Sequence, residues 1–189
     1  KKELTSLALG YLGAMLGLCC IVAFFRLLLP ALPIWLRMLT MPPAYWLIAL
    51  APALIMRLEG DKPGDYGFSG ENISSQLLTG LLIAILMSLV FTLVPHRYKY
   101  LWQFVYEFIY CVIAVGFTEE FVFRGFVYAR LKNIFKGEAP AIIVSSVLFG
   151  LFHVLGGNIV QMLVTALLGG FFCLCRLKIK SCTTLSLII

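Results

Sequence analysis

From Leu4 to about Phe25 the chain carries no charged side chain, and stretches of the same kind recur along its length. A helix needs about 20 consecutive, mostly apolar residues to cross the hydrocarbon core of a bilayer. Runs near that length lie at Leu4–Phe25, Met38–Met56, Ile73–Val94, Leu101–Thr118, Ala139–Leu155 and Asn158–Cys175. Ser181 to Ile189 reads as the start of one more. The chain is therefore predicted to be an all-α, polytopic transmembrane helical bundle of six spans plus the start of a seventh. Residues 1–189 form a single integral membrane domain in this reading.

Composition agrees. The 189 residues are 61% hydrophobic and 13% charged, with a mean hydropathy of +0.99, whereas a soluble domain carries roughly 25% charged residues. A soluble fold is excluded. The net charge of +6 does not point to nucleic acid, because the basic residues sit in short connections between apolar runs. Positive charge collects at cytoplasmic membrane ends. An inside N-terminus places Lys1, Lys2, Arg57, Lys62, Arg124, Arg130, Lys132, Lys136, Arg176, Lys178 and Lys180 in the cytoplasm, and leaves Arg26, Arg37, Arg97 and Lys99 outside. That bias predicts a multi-pass protein of the cell membrane with a cytoplasmic N-terminus and membrane lipid as its constant partner. It also puts Glu119 and Glu120 near the cytoplasmic end of their helix.

The remaining landmarks are mostly structural. Gly13 and Gly17 form a small-x-x-x-small face suited to close helix contact. Pro42, Pro43 and Pro52 predict kinks in the second span. Arg57 to Asn72 is the one strongly polar stretch and reads as a solvated loop around the Pro63-Gly64 turn signal. Tyr98, Tyr100, Trp102, Tyr106 and Tyr110 mark a headgroup boundary, and Glu107 reads as a polar residue near it. His96 belongs to a short loop. Phe126 to Lys136 has the composition of an interfacial amphipathic helix. The six cysteines show no Cys-x-x-Cys or ligand spacing and read as packing residues. The chain begins Lys1-Lys2 without methionine and stops inside an apolar run at Leu187-Ile188-Ile189, so both ends read as trimmed.

One stretch stands apart: Gly116-Phe117-Thr118-Glu119-Glu120-Phe121-Val122-Phe123-Arg124-Gly125. Ionisable groups at membrane depth are costly, and they are functional-site hypotheses by default. On a helix, Glu120 and Arg124 are four apart and can pair. Glu119 then points about 100° away, without that partner. A second polar group lies late in the fifth span, in Phe149-Gly150-Leu151-Phe152-His153. A carboxylate and an imidazole converging in a dry cavity can hold a water molecule and take its proton. Attack of that water on a carbonyl makes a tetrahedral oxyanion, which needs hydrogen-bond donors.

Glu119-Glu120-x-x-x-Arg124 followed by Phe149-x-x-x-His153 resembles the CPBP family, the CAAX-processing and bacteriocin-processing (Abi) intramembrane proteases. The resemblance covers about Asp65 to Ile189, including Asp65-Tyr66-Gly67-Phe68. It implies a helical membrane endopeptidase acting on membrane-associated, prenylated or bacteriocin-type peptides. By that resemblance Glu119 is the water-activating base, Glu120 its partner held by Arg124, and His153 a residue that positions the water. Family members are described both as metalloproteases and as glutamate-based enzymes without metal. Glu119, Glu120 and His153 are acceptable zinc ligands, but with no His-Glu-x-x-His pair present an obligatory metal is not expected. The family's later His-x-x-x-Asn or His-x-x-x-Asp motif, which by the resemblance supplies the oxyanion contacts, is missing from these residues. Asn158 follows His153 too closely to replace it. The motif is expected beyond Ile189, and residues 1–189 alone are expected to be inactive. Two rival readings remain: a non-catalytic immunity or scaffold protein of the same fold, and a small transporter relaying protons through Glu107 and the carboxylate pair. A transporter predicts an internal repeat, and the two halves show none.

Overall fold

A computed structural model describes residues 1–67, 74, 78, 100–155 and 157–179. Apart from 74 and 78, the expected third span (Ile73–Val94) lies outside the described residues, as do the loop of His96, Arg97 and Lys99 and the beginning of the seventh span. The described part is helical throughout. Helix α1 spans Lys2–Leu27, α2 Ile34–Tyr45, α3 Leu47–Glu59, α4 Leu101–Phe135, α5 Glu138–Phe152 and α6 Ile159–Ile179. Among the described residues five helical runs are long and apolar enough to cross a membrane, with α2 and α3 together making one of them. They coincide with the expected first, second, fourth, fifth and sixth spans.

The bundle is inverted relative to a soluble protein. Leu12, Leu16, Leu163 and Leu167 face outward, while Glu119, Glu120, Arg124 and Arg130 are buried. Lipid is the solvent that makes this arrangement stable, since it neither penalises exposed leucine nor solvates an exposed charge.

Small residues set the spacing of α1 and α3. A side chain added at Gly13 would meet Ala51, and one at Gly17 would come within 2.8 Å of the Leu47 carbonyl oxygen and 3.1 Å of Ile48 Cα. The small-x-x-x-small face therefore does what its spacing predicts. Gly17→Ala is expected to push the two helices apart and cost about 1–3 kcal/mol, the usual range for overpacking. The midpoint of denaturation in detergent would report it, and an unchanged midpoint would show that the helices separate freely.

The prolines of α2 have a traceable consequence. Pro42 has no N–H to give to the carbonyl four residues earlier, and that carbonyl, on Met38, accepts a hydrogen bond from the Tyr106 hydroxyl at 3.0 Å. The kinked segment is thus tied to α4 across the bundle. α2 ends at Tyr45, and the helix is interrupted at Trp46, whose indole N–H reaches the Ile113 carbonyl at 3.3 Å.

Three expectations need correction. The fourth span does not stop at Thr118: α4 continues to Phe135, so Glu119 and Glu120 lie near the middle of a 35-residue helix rather than near its end. The stretch Phe126 to Lys136 continues α4 rather than standing as a separate helix, with Phe126, Val127, Tyr128 and Leu131 in the core and Lys132 and Lys136 exposed. Of its basic residues, Arg130 is buried among carboxylates. Its guanidinium contacts Glu3 at 3.1 Å, Glu59 at 2.7 Å and Asp61. Gly60, at φ +77°, ends α3 in a left-handed cap with Asp61 N–H returning to the Met56 carbonyl, which turns Asp61 toward Arg130. The start of the polar stretch is therefore an ion-paired clasp joining α1, α3 and α4 rather than a solvated loop.

Candidate active site

The centre of α4 is not an ordinary α-helix. Cys111–Gly116 and Glu120–Val127 are π-helical, and the single α-turn Phe117–Glu119 lies between them. π-turns are uncommon and often mark functional sites, because the widened turn re-aims the side chains beside it. Here the two adjacent carboxylates stand at such a junction and face different partners.

Glu120 faces Arg124. The Nη1 atom of Arg124 is 3.2 Å from Glu120 Oε1, and neither side chain has any exposed surface. The guanidinium is also enclosed by aromatic faces, 4.3 Å from the Phe149 ring centre and 5.2 Å from that of Phe172. Cation–π attraction of this kind strengthens as water is removed. Arg176 donates to the Arg124 main-chain carbonyl, so α6 closes over the pair.

Glu119 faces elsewhere. Its Oε1 accepts a hydrogen bond from the Tyr45 hydroxyl at 3.1 Å and lies 3.8 Å from His153 Nε2. His153 caps the end of α5, and its Nδ1 is 2.9 Å from the Phe149 carbonyl oxygen. A carbonyl can only accept, so Nδ1 carries the proton and Nε2 is the nitrogen free to face Glu119. The two are too far apart for a direct hydrogen bond, yet close enough to share one water. A water placed about 2.8 Å from each atom would sit to one side of the line joining them. The pair is enclosed but not sealed: 6% of the Glu119 side chain and 21% of the His153 side chain are exposed.

Beside this pair, between α2 and α4, opens a cleft of about 570 Å³ whose lining includes Met38, Met41, Tyr106, Glu107, Tyr110 and Cys111. Tyr110 packs edge-on against Tyr45, with ring centres 6.1 Å apart, so the cleft abuts the ring whose hydroxyl binds Glu119. Glu107 lies in the cleft wall and not at the Glu119–His153 pair.

All four residues singled out in the sequence thus lie in one layer of the bundle, as two sub-sites. Glu120 is committed to Arg124, so Glu119, Glu120 and His153 do not converge as a three-ligand zinc set. Among the described residues no group of three His, Cys, Asp or Glu side chains is arranged to hold a metal ion. Asn158 is exposed and accepts the Gln161 N–H at the start of α6, a capping role. The residue that the sequence did not announce is Tyr45. It lies 74 positions from Glu119, in a proline-rich run whose visible signal was only a kink.

Residues 101–188 match the family model described as Type II CAAX prenyl endopeptidase Rce1-like. Over this stretch, somewhat less than half of the chain, the sequence is similar to that family. The stretch contains α4, α5 and α6, and so the buried glutamate pair, Arg124 and His153. No curated protein and no solved structure matches the chain.

Proposed function

We propose that this chain is the membrane domain of an intramembrane endopeptidase of the CPBP type. It hydrolyses peptide bonds in membrane-associated substrates, with prenylated C-terminal peptides or bacteriocin-type peptides as the candidate classes. The observation that carries the reading is the Glu119–His153 pair, 3.8 Å apart inside a lipid-facing bundle. It comes from α4 and α5, both within the matched stretch.

In the proposed reaction a water bridges Glu119 Oε1 and His153 Nε2. Glu119 removes one water proton as the oxygen attacks the scissile carbonyl carbon, and the carbonyl electron pair moves onto its oxygen. Collapse of the tetrahedral species breaks the C–N bond, and Glu119 returns the proton to the leaving amine. Glu120, held by Arg124, fixes the backbone turn that aims Glu119. By the positive-inside bias, the N-terminus and the Arg130 end of the bundle face the cytoplasm of a cell (plasma) membrane.

The test is cleavage of an internally quenched peptide ending in a farnesylated cysteine by the whole protein in liposomes. His153→Ala is expected to lower kcat by about 10²- to 10⁴-fold, the usual contribution of a positioned acid–base group. Wild-type kcat in this variant would remove His153 from the mechanism. Failure of the wild-type protein to cleave lipidated or unlipidated membrane peptides would remove the peptidase reading itself.

A further inference from the structure

The reaction develops negative charge on the carbonyl oxygen of the substrate, and that oxygen needs a donor directed into the site. Among the described residues, the hydrogen-bond donor to Glu119 is the Tyr45 hydroxyl, at 3.1 Å from Oε1. It comes from α2, outside the matched stretch 101–188. We propose that Tyr45 is a catalytic residue that donates first to Glu119 and then to the oxyanion of the tetrahedral intermediate. The proposal rests on the peptidase reading given above.

The geometry supports a change of partner. Tyr45 donates to Oε1, the same oxygen that faces His153 Nε2. In the resting state this bond holds the Glu119 carboxylate in one orientation, with its charge toward the water site. When Glu119 takes the water's proton it loses its charge and becomes a weaker acceptor, because charge-assisted hydrogen bonds are roughly twice as strong as neutral ones. The oxyanion forms at the same moment, in the same layer. The phenol then has a charged acceptor to turn to, and no proton leaves it. When the C–N bond breaks and Glu119 gives its proton to the amine, the first hydrogen bond forms again.

The arrangement of the ring suits this task. Tyr45 is the last residue of α2, before the interruption at Trp46, and its ring is steadied edge-on by Tyr110. The Tyr110 ring is in turn stacked on Tyr106, which ties α4 to the Met38 carbonyl. The hydroxyl is thus delivered by a braced aromatic ring rather than by a mobile side chain, as a preorganised donor requires. A buried tyrosine hydroxyl that merely satisfies itself on a nearby carboxylate would give the same resting distance, so kinetics must separate the two roles.

The experiment compares Tyr45→Phe with wild type and Glu119→Gln in the liposome assay, together with the denaturation midpoint of each. The ring and its contact with Tyr110 remain in Tyr45→Phe. The expected result is a fall in kcat of about 10²- to 10³-fold, the loss typical of removing one oxyanion donor, with KM within about threefold and an unchanged midpoint. Full kcat in Tyr45→Phe, beside an inactive Glu119→Gln, overturns the Tyr45 role and leaves the peptidase reading intact. A lowered midpoint with unchanged kcat assigns the hydroxyl to structure and also overturns it. An inactive wild type overturns both. If Tyr45→Phe does not fold, 3-fluorotyrosine at position 45 keeps the hydroxyl while changing its acidity. A shifted kcat is then expected, and an unshifted one overturns the proposal.

Discussion

Glu119→Gln is expected to lower kcat by roughly 10⁴-fold, the upper end of what a positioned general base supplies, while the protein folds and unfolds as wild type does. The substitution preserves shape. An amide oxygen can still accept from Tyr45, so the 3.1 Å contact that organises this side of the site survives. What disappears is the capacity to take a proton from a water shared with His153, 3.8 Å away. The informative control is Glu120→Gln. That carboxylate has no exposed surface and faces Arg124, so the change should act chiefly on the denaturation midpoint and only secondarily on turnover. If Glu120→Gln abolishes cleavage while Glu119→Gln leaves kcat within tenfold of wild type, the two roles have been assigned the wrong way round.

The pairing of Glu120 with Arg124, which leaves Glu119 to other partners, was legible in the sequence because it depends on local geometry alone. Four residues separate Glu120 from Arg124, and adjacent side chains on a helix diverge by about 100°. Any helical path through this stretch pairs one glutamate and leaves the other facing elsewhere. The Gly13–Gly17 face and the five described spans were legible for the same reason, since each is a short-range pattern.

The features that escaped depend on residues far apart in the chain. The end of the fourth span could not be read from hydropathy, because α4 carries Glu119, Glu120, Arg124 and Arg130 through the interior of the bundle. A hydropathy argument assumes that charges mark a membrane boundary, and here they mark a buried site. Arg130 reads as surface until Glu3, Glu59 and Asp61 are brought to it from two other segments. The π-helical runs on either side of Phe117–Glu119 have no composition signature. Tyr45 needed both the packing of α2 against α4 and the inward orientation of Glu119 before its hydroxyl had a partner.

Arg124→Met is expected to be the most destabilising single change in the site, by about 3–5 kcal/mol, the usual cost of leaving one member of a buried ion pair unpaired. Glu120 has no water to turn to, and the two aromatic faces that favour a cation at position 124 offer it nothing. The double variant Glu120→Met/Arg124→Met separates charge from packing. Replacing both members of a buried pair by apolar side chains is often neutral or stabilising, so the double variant should recover most of the loss seen in Arg124→Met. Unfolding of wild type, both single variants and the double variant in detergent closes a double-mutant cycle whose coupling term reports the pair directly. A coupling near zero would mean that Arg124 is held by Phe149, Phe172 and the closure of α6 rather than by Glu120. The i,i+4 pairing would then be a consequence of the helix and not the reason for the arginine. A large coupling together with lost turnover in the refolded double variant would show that the pair's contribution to catalysis is separate from its contribution to stability. The glutamate next to the proposed base would then be kept for its charge as well as its contacts.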